Sequence, residues 1–394
     1  MVEVIATGCL HSAVPEGRAV FAAIRSAKKK GAVVVDAGDF FTGSAFYDFS
    51  HGRVEAQLLT ELYDAIVPGN HDLPDLMRLA DPHRFPPVVC ANLRPPAGFP
   101  GRWVSGLTLE DCAHRLGVVG YLGRQAFEAI PNRERAGFTF RDPTAELIGA
   151  EAARLREAGA EVVIGVSHTG FLADVADQEA SWPLDVVVAA HCHSPWSHWT
   201  SGGRHVAKPP AAGAGLLRLT LDPLGPHRVT QDTCPLPAPP GDGLDVGLEA
   251  YAVWGQEPIG ALDGPLADRR AVAGRLADQA RDSLGTRTFL LNLYTLRTGL
   301  PQMVTRQDLM ACAPYDSDLV LLDSAPGLDV LMALARSLGE ELVVSTTDSP
   351  PVPSTGAVAT TGYLAGRLGL PARPVHPPRT LRDTLTDLVR SPHE

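Results

Sequence analysis

The chain has 394 residues, more than one ordinary hydrophobic core accommodates, which predicts two domains. Apolar residues make up 45% and charged residues 20%, which is typical of a soluble globular protein and excludes a disordered chain. The formal net charge of −11 argues against a surface that binds nucleic acid or an anionic membrane.

Three further features bear on the compartment. No stretch approaches the ~20 consecutive apolar residues of a membrane span. A strand-like pattern begins within two residues of Met1, without the basic and apolar regions of a signal peptide. The six cysteines are scattered and lack the close pairing of a disulfide framework. We therefore expect a cytoplasmic protein without membrane or nucleic-acid partners.

Strands and helices are predicted to alternate as far as about residue 235. Five apolar runs rich in β-branched residues end at glycine or a polar loop, which indicates strands buried on both faces. These runs are 2–6, 32–36, 65–67, 162–166 and 186–189. Further predicted elements are strands at 88–90, 117–120 and 216–221, and helices at 17–30 and 144–158. The alternation predicts an α/β domain.

A second domain is predicted after a segment dense in proline and glycine. Residues 234–243 have the composition of a linker. Beyond it we predict helices at 266–283 and 327–339, and strands at 288–294 and 319–322. The predicted organisation is a dimetal domain at 1–235, a linker at 236–250 and a substrate domain at 251–394.

Side chains that bind metals directly follow each of the five buried strands. In open α/β sheets, sites gather beyond the carboxyl ends of the strands, so these side chains are expected to meet at one edge. The candidate ligands are Cys9, His11, Asp39, Asn70, His168, His191 and His193.

Two divalent ions ~3.5–4 Å apart need a bridging carboxylate. Asp39 is the carboxylate of these motifs that is well placed to bridge them. His11 and His193 are then assigned to one ion, and the other ion takes the remaining three neutral ligands, Asn70, His168 and His191.

Cys9 bears on the choice of metal. As a thiolate it would favour Zn or Fe over Mn or Mg, because sulfur is a soft ligand. The alternative is a small buried hydrophobic residue beside an empty or one-metal site. We expect two divalent ions, drawn from Mn, Zn and Fe.

The order of the motifs resembles that of the calcineurin-like metallophosphoesterases, and within them the 5′-nucleotidase family. The motifs that carry the resemblance are Gly38-Asp39, Gly69-Asn70-His71-Asp72, the histidine at 168 and His191-Cys192-His193. The resemblance implies a four-layer αββα sandwich followed by a smaller α/β domain of the 5′-nucleotidase C-terminal type.

The same resemblance implies functional residues in both domains. His71 corresponds to a histidine that lies beside the ions without binding them and assists departure of the leaving group, and Asp39 completes the catalytic set. Segments around Arg297, Tyr315 and Tyr363 look like the family's substrate-binding segments. Arginine clamps phosphate or carboxylate groups, and tyrosine stacks on planar ones.

The chain departs from the family pattern at several positions. Cys9 stands where the family has its first aspartate, and Ala190 replaces a glycine. Pro74 stands where the family has the aspartate that orients the catalytic histidine, and Asp75 is one residue away. Nucleotide specificity is therefore left open.

Three functions remain in competition. The first is hydrolysis of a small, anionic, phosphorylated metabolite by a hydroxide that bridges two metal ions. The second is sulfur or redox chemistry on a biosynthetic intermediate, at a dimetal centre that can contain iron. The third is a degenerate relative that binds a ligand or partner without catalysis.

Overall fold

The computed structural model describes residues 1–110, 114–192, 194, 197–233, 245–347 and 358–390. Residue contacts divide the chain into two compact units, Met1–Asp245 and Val246–Glu394. Within the described ranges, no helix combines the length and apolar content that crossing a bilayer requires.

The first unit alternates strands with helices. Its strands are β1 (Val2–Thr7), β2 (Val33–Asp36), β3 (Ala65–Ile66), β4 (Val88–Val89), β5 (Leu93–Arg94), β6 (Trp103–Val104), β7 (Gly106–Glu110), β8 (Arg115–Leu122), β9 (Thr139–Phe140), β10 (Val162–His168), β11 (Val186–Ala189), β12 (His198–Ser201), β13 (Arg204–Ala207), β14 (Gly215–Leu221) and β15 (Arg228–Thr233). Its helices are α1 (Arg18–Lys28), α2 (Ala45–Ser50), α3 (Arg53–Leu62), α4 (Leu73–Leu76), α5 (Arg124–Ala129), α6 (Ala145–Glu157) and α7 (Phe171–Glu179).

Two sheets form the centre of this unit. One has the strand order β15-β14-β1-β2-β3-β4-β6 and the other β12-β13-β11-β10-β8-β7. Strands β1 to β3 run parallel, and so do β8, β10 and β11. One buried apolar cluster contains side chains of both sheets, including Val35 and Val166, so the sheets pack face to face.

Helices cover the outer faces. The apolar side of α1 (Val20, Phe21, Ile24 and Ala27) is buried, and α1 contacts β2 of the first sheet. Helix α6 buries Ile148 and Leu155 in a cluster with the outer face of the second sheet. The layer order is therefore helix, sheet, sheet, helix, and the predicted four-layer sandwich is confirmed.

The second unit is a smaller α/β structure around one five-stranded sheet of order β20-β17-β21-β19-β22. Its elements are α8 (Asp245–Gly255), β16 (Pro258–Ala261), α9 (Arg269–Leu284), β17 (Thr288–Asn292), a 3-10 turn (Leu293–Thr295), β18 (Met303–Thr305), α10 (Arg306–Cys312), β19 (Leu319–Leu322), α11 (Leu328–Ser337), β20 (Leu342–Thr346), β21 (Val358–Thr361), α12 (Gly362–Arg367), β22 (Ala372–Pro374) and α13 (Leu381–Arg390). Helices α9 and α13 share an apolar cluster with β17, which forms the core of the unit.

Two predicted boundaries differ from the structure. The proline-rich segment lies outside the described residues, but the predicted linker ran to residue 250, whereas α8 begins at Asp245. The strand predicted at 288–294 ends at Asn292, because the Asn292 side chain accepts a hydrogen bond from Tyr294 N at 3.0 Å and caps the 3-10 turn. The domain limits of 1–235 and 251–394 stay predictions.

Candidate metal centre

The parallel strands place their carboxyl ends, and the motifs that follow them, at the same edge. Strands β1, β2 and β3 are neighbours in the first sheet, and β10 and β11 are neighbours in the second. The candidate ligands lie where these strands end: Cys9 and His11 after β1, Asp39 after β2, Asn70 after β3, His168 as the last residue of β10, and His191 after β11.

Four of these residues have a left-handed backbone, which is uncommon for residues other than glycine. The φ angles are 51° at Cys9, 53° at His11, 58° at Asp39 and 78° at His191. Backbone hydrogen bonds hold the loops in this conformation, from Cys9 N to Gly38 O at 2.7 Å and from His11 N to Asp39 O at 2.8 Å. Such conformations cost of order 1 kcal/mol each and concentrate at functional sites.

Asp39 belongs to two groups of potential ligands. Within each group the ligand atoms lie within 4.8 Å of one another: Cys9, His11 and Asp39 form the first group, and Asp39, His168 and His191 form the second. Asp39 Oδ2 lies 3.7 Å from His11 Nε2 and 3.1 Å from His168 Nε2. This shared carboxylate occupies the position that bridging two ions requires.

Asn70 lies beside the second group. Its Oδ1 atom is 3.2 Å from His168 Nε2 and 3.0 Å from His191 Nδ1. An amide oxygen at this distance can join the two histidines as a ligand, and this role of Asn70 stays a prediction. His193 lies outside the described residues.

The rings of two histidines are oriented by backbone carbonyls. His168 Nδ1 is 2.7 Å from Ala37 O, and His11 Nδ1 is 3.1 Å from Thr42 O. A carbonyl accepts a hydrogen bond, so each Nδ1 carries the proton and Nε2 is left to bind a metal. Imidazole nitrogens, one shared carboxylate, an amide oxygen and a thiol make a donor set that fits divalent ions.

Electrostatics differ between the two anionic candidates. Burial raises the pKa of Asp39, but the neighbouring His168, His71 and His11 more than offset burial and hold it well below its usual range. Burial, together with Asp39, raises the pKa of the Cys9 thiol well above its usual range, although the N–H of His191 acts in the opposite direction. A bound cation would reverse this balance at Cys9, because it stabilises the thiolate.

His71 lies next to the first group. Its ring centroid is 5.3 Å from that of His11, and the two rings are inclined at 71°. The backbone N–H of His71 donates to Asp39 Oδ1 at 2.9 Å. Asp75, the candidate replacement for the orienting aspartate, accepts hydrogen bonds from Tyr47 Oη at 2.9 and 3.0 Å. A role for Asp75 in orienting His71 stays a prediction.

Asp72 is a functional residue to which the sequence analysis gave no role. Its fully buried carboxylate accepts from the backbone N–H groups of Asp39 at 2.8 Å and of Gly69 at 2.7 Å. It also accepts from Phe40 N at 2.9 Å and Phe41 N at 3.1 Å. One side chain thus fixes the loops that carry Asp39 and Asn70. The signal was its place as the acidic residue directly after Gly69-Asn70-His71.

The structure places two of the three candidate substrate residues of the second unit, Arg297 and Tyr315, in contact. The Arg297 guanidinium lies over the Tyr315 ring, 5.6 Å from its centroid. Burial and Glu340 raise the pKa of Tyr363, whereas the positive charges of Arg367 and Arg297 oppose this rise. Arg297 therefore contacts Tyr315 directly, and a substrate-binding role for Arg297, Tyr315 and Tyr363 stays a prediction.

Asp174 gives a pH-dependent prediction. Its buried carboxylate accepts from Ser167 Oγ at 2.8 Å and Tyr121 Oη at 3.1 Å, and burial raises its pKa to about 8. The unfolded chain releases this proton near the ordinary value of 3.8, so this contribution to stability is lost as pH rises from about 4 to about 8. The stability of Asp174→Asn relative to wild type should therefore rise by about 4 kcal/mol from pH 5 to pH 8.

Urea unfolding at a series of pH values measures this gain. The control is Glu157→Gln, which changes an exposed acid of α6 and should follow the wild-type pH profile. A constant difference between Asp174→Asn and wild type at every pH would contradict the prediction.

A family model ties this geometry to known proteins. Residues 2–195 match the model described as calcineurin-like phosphoesterase. These residues form a calcineurin-like phosphoesterase domain. The matched range includes β1, β2, β3, β10 and β11 and the ligand loops that follow them.

Similar proteins include 5′-nucleotidases. A snake venom 5′-nucleotidase from Crotalus adamanteus is 29% identical over 178 residues, which cover 43% of this chain and 30% of the relative. A 5′-nucleotidase precursor from Thermus thermophilus has a TM-score of 0.77 at 19% identity and covers 99% of this chain and 96% of its own. A sulfate thiohydrolase from the same organism has a TM-score of 0.69 at 18% identity, covering 95% of this chain and 80% of its own.

These similarities differ in what they establish. The matched segment spans about a third of the length of the curated relatives, and the structural matches at such low identity show the fold alone. The family model and the curated relatives confirm the phosphoesterase domain. The structural matches confirm that a C-terminal α/β domain follows it. Together these similarities also support the interpretation of the chain as a hydrolase of the metallophosphoesterase type.

Proposed function

We propose that the protein is a metal-dependent phosphomonoesterase of the 5′-nucleotidase type that acts on a small, anionic, phosphorylated metabolite. The observation that carries this proposal is the pair of ligand groups that share Asp39. The phosphoesterase domain and the relatives named above support the choice of phosphoester chemistry.

Each candidate residue has a role in this proposal. Cys9 and His11 would hold one cation, with His193 as a further ligand; Asn70, His168 and His191 would hold the other; and Asp39 would contact both. When bound, two cations supply Lewis acidity that makes water nucleophilic at neutral pH and neutralise charge on the phosphoryl group.

The remaining roles belong to groups that bind the substrate or move a proton. His71 lies beside His11, where its ring can donate a proton to the departing alcohol. Arg297 can clamp an anionic group of the substrate, and Tyr315 and Tyr363 can stack on a planar one.

A panel of phosphomonoesters tests the proposal. Purified protein is loaded separately with Mn, Zn or Fe, and we expect phosphate release from at least one ester. His168→Ala, prepared in the same way, should release none, which controls for a contaminating phosphatase. Absence of release under every metal would overturn the proposed function.

Cys9 supports a second candidate function. Its sulfur lies in a ligand group with His11 and Asp39, so the centre can prefer iron and perform sulfur or redox chemistry. Abundant iron after purification, with an absorption spectrum that responds to oxygen or thiols, would favour this function. Colourless protein that contains Mn would oppose it.

A prediction about metal choice follows from the same residue. Cys9→Ala should lose the ion of the first group while keeping that of the second. Cys9→Asp should bind two ions but shift the preference towards Mn or Mg, because a hard oxygen replaces a soft sulfur. Wild-type affinity should also fall more steeply on acidification than that of Cys9→Asp, because a thiol gives up its proton less readily than a carboxyl group.

Metal analysis and calorimetric titration of the three proteins check this prediction. Equal numbers of the same ions, bound equally tightly in all three, would assign Cys9 to packing. Failure of the wild-type protein to bind stoichiometric metal would instead favour a degenerate relative without catalysis.

We also propose a cytoplasmic location, since the free thiols of Cys9, Cys90, Cys192 and Cys312 suit a reducing compartment.

A further inference from the structure

Lys208 follows β13 directly, and its side chain extends to the loop after β11. The ammonium group donates a hydrogen bond to Cys192 O at 3.3 Å and a shorter one to Ser194 O. Both carbonyls lie within three residues of His191, a candidate ligand of the second group. The Lys208 ammonium group therefore binds two backbone carbonyls of the loop that carries His191, called the ligand loop below.

The backbone of Lys208 is itself held on both sides. Its N–H donates to Ser197 O at 2.8 Å, and its carbonyl accepts from Gln231 Nε2 at 2.6 Å. Because the Lys208 backbone is fixed and its side chain is half-buried, the ammonium group can occupy only a small region. An ammonium group carries three donors, and its charge strengthens each hydrogen bond to a carbonyl.

The ligand loop needs such support because His191 has a left-handed backbone, with φ at 78°. One sulfur atom restrains the amide of His191, because Cys9 Sγ accepts from His191 N at 3.2 Å. The next side chain in the loop is anchored to α7, where Cys192 Sγ accepts from Phe171 N at 3.1 Å. Lys208 restrains the same loop through the carbonyl oxygens of Cys192 and Ser194.

We propose that Lys208 is a positioning residue of the metal centre, which sets the place of His191 through the carbonyls of the loop. This inference rests on the metal centre of the proposed function but not on its phosphoester chemistry. Partners that orient ligands from outside the metal's own shell contribute about 10–100-fold to metal affinity.

Calorimetric titration of metal-free protein with Zn²⁺ tests the proposal on three variants. Lys208→Met keeps most of the unbranched side chain but removes its charge and donors, and should weaken one site by about 10–100-fold. Lys208→Arg keeps the charge and should restore part of that affinity. The matched control is Lys28→Met, because half-buried Lys28 likewise donates to a carbonyl, Leu62 O at 3.1 Å, and to Asp64 at 2.8 Å, away from the ligand loops.

The outcomes separate positioning from general stability. Wild-type Zn²⁺ affinity in Lys208→Met would overturn the proposal, and so would an equal loss of affinity in Lys28→Met. Failure of the wild-type protein to bind Zn²⁺ would overturn it as well. If no ester releases phosphate but the variants differ as expected, the proposed function falls and the role of Lys208 stands.

Discussion

Replacing Asp39 with asparagine is expected to weaken the binding of both metal ions. The Asp39 carboxylate belongs to both ligand groups, so the change removes one negative charge and replaces one of the two shared oxygens by an NH2 group that cannot bind a cation. Loss of this ligand should lower affinity by at least about 100-fold, the upper end for partners that lie outside the metal's own shell. Phosphate release should fall with it.

Metal content after gel filtration and calorimetric titration measure this loss. The control is Asp75→Asn, which alters a nearby carboxylate that contacts Tyr47 and belongs to neither group. Asp75→Asn should retain both ions. Two tightly bound ions in Asp39→Asn would show that Asp39 does not bridge them.

Replacing Asp72 with alanine is expected to destabilise the fold by about 3–5 kcal/mol. The change removes the carboxylate that accepts hydrogen bonds from four backbone N–H groups, those of Asp39, Phe40, Phe41 and Gly69. These groups are buried, so water cannot easily take the place of the carboxylate. A buried donor left without a partner costs the full free energy of its desolvation.

Urea unfolding of the metal-free protein measures this loss without a contribution from bound ions. Asp72→Asn should cost less than Asp72→Ala, because its amide oxygen still accepts from some of the four donors. Asp142→Ala, at an exposed acid whose ion pair with Arg124 is itself exposed, should change stability by no more than about 1 kcal/mol. A loss in Asp72→Ala no greater than that of Asp142→Ala would contradict the role we give to Asp72.

The fold was predictable because its strands have a simple sequence signal. The run at 186–189 matches β11 residue for residue, and the run at 162–166 lies within β10. Strands buried on both faces need continuous apolar residues, and polar residues mark their ends. Parallel pairing then brings those ends to one edge, so the sequence alone predicts that the candidate ligands lie together.

The supporting contacts were not predictable because they depend on tertiary structure. Lys208 comes well after His191 in the chain, and no spacing rule connects a lysine to the carbonyls of Cys192 and Ser194. The start of α8 was missed for a different reason. Neighbouring prolines and glycines dominate the local composition, although residues from Asp245 onwards form a helix.

The left-handed backbone at Cys9, His11, Asp39 and His191 has a consequence for how this centre can evolve or be redesigned. Asparagine, aspartate and histidine tolerate this conformation, whereas valine, isoleucine and threonine are strained by it. The backbone therefore restricts which side chains each position accepts, and the accepted polar ones are themselves metal ligands. Single substitutions among them can exchange the chemistry of the centre while the loops stay as they are.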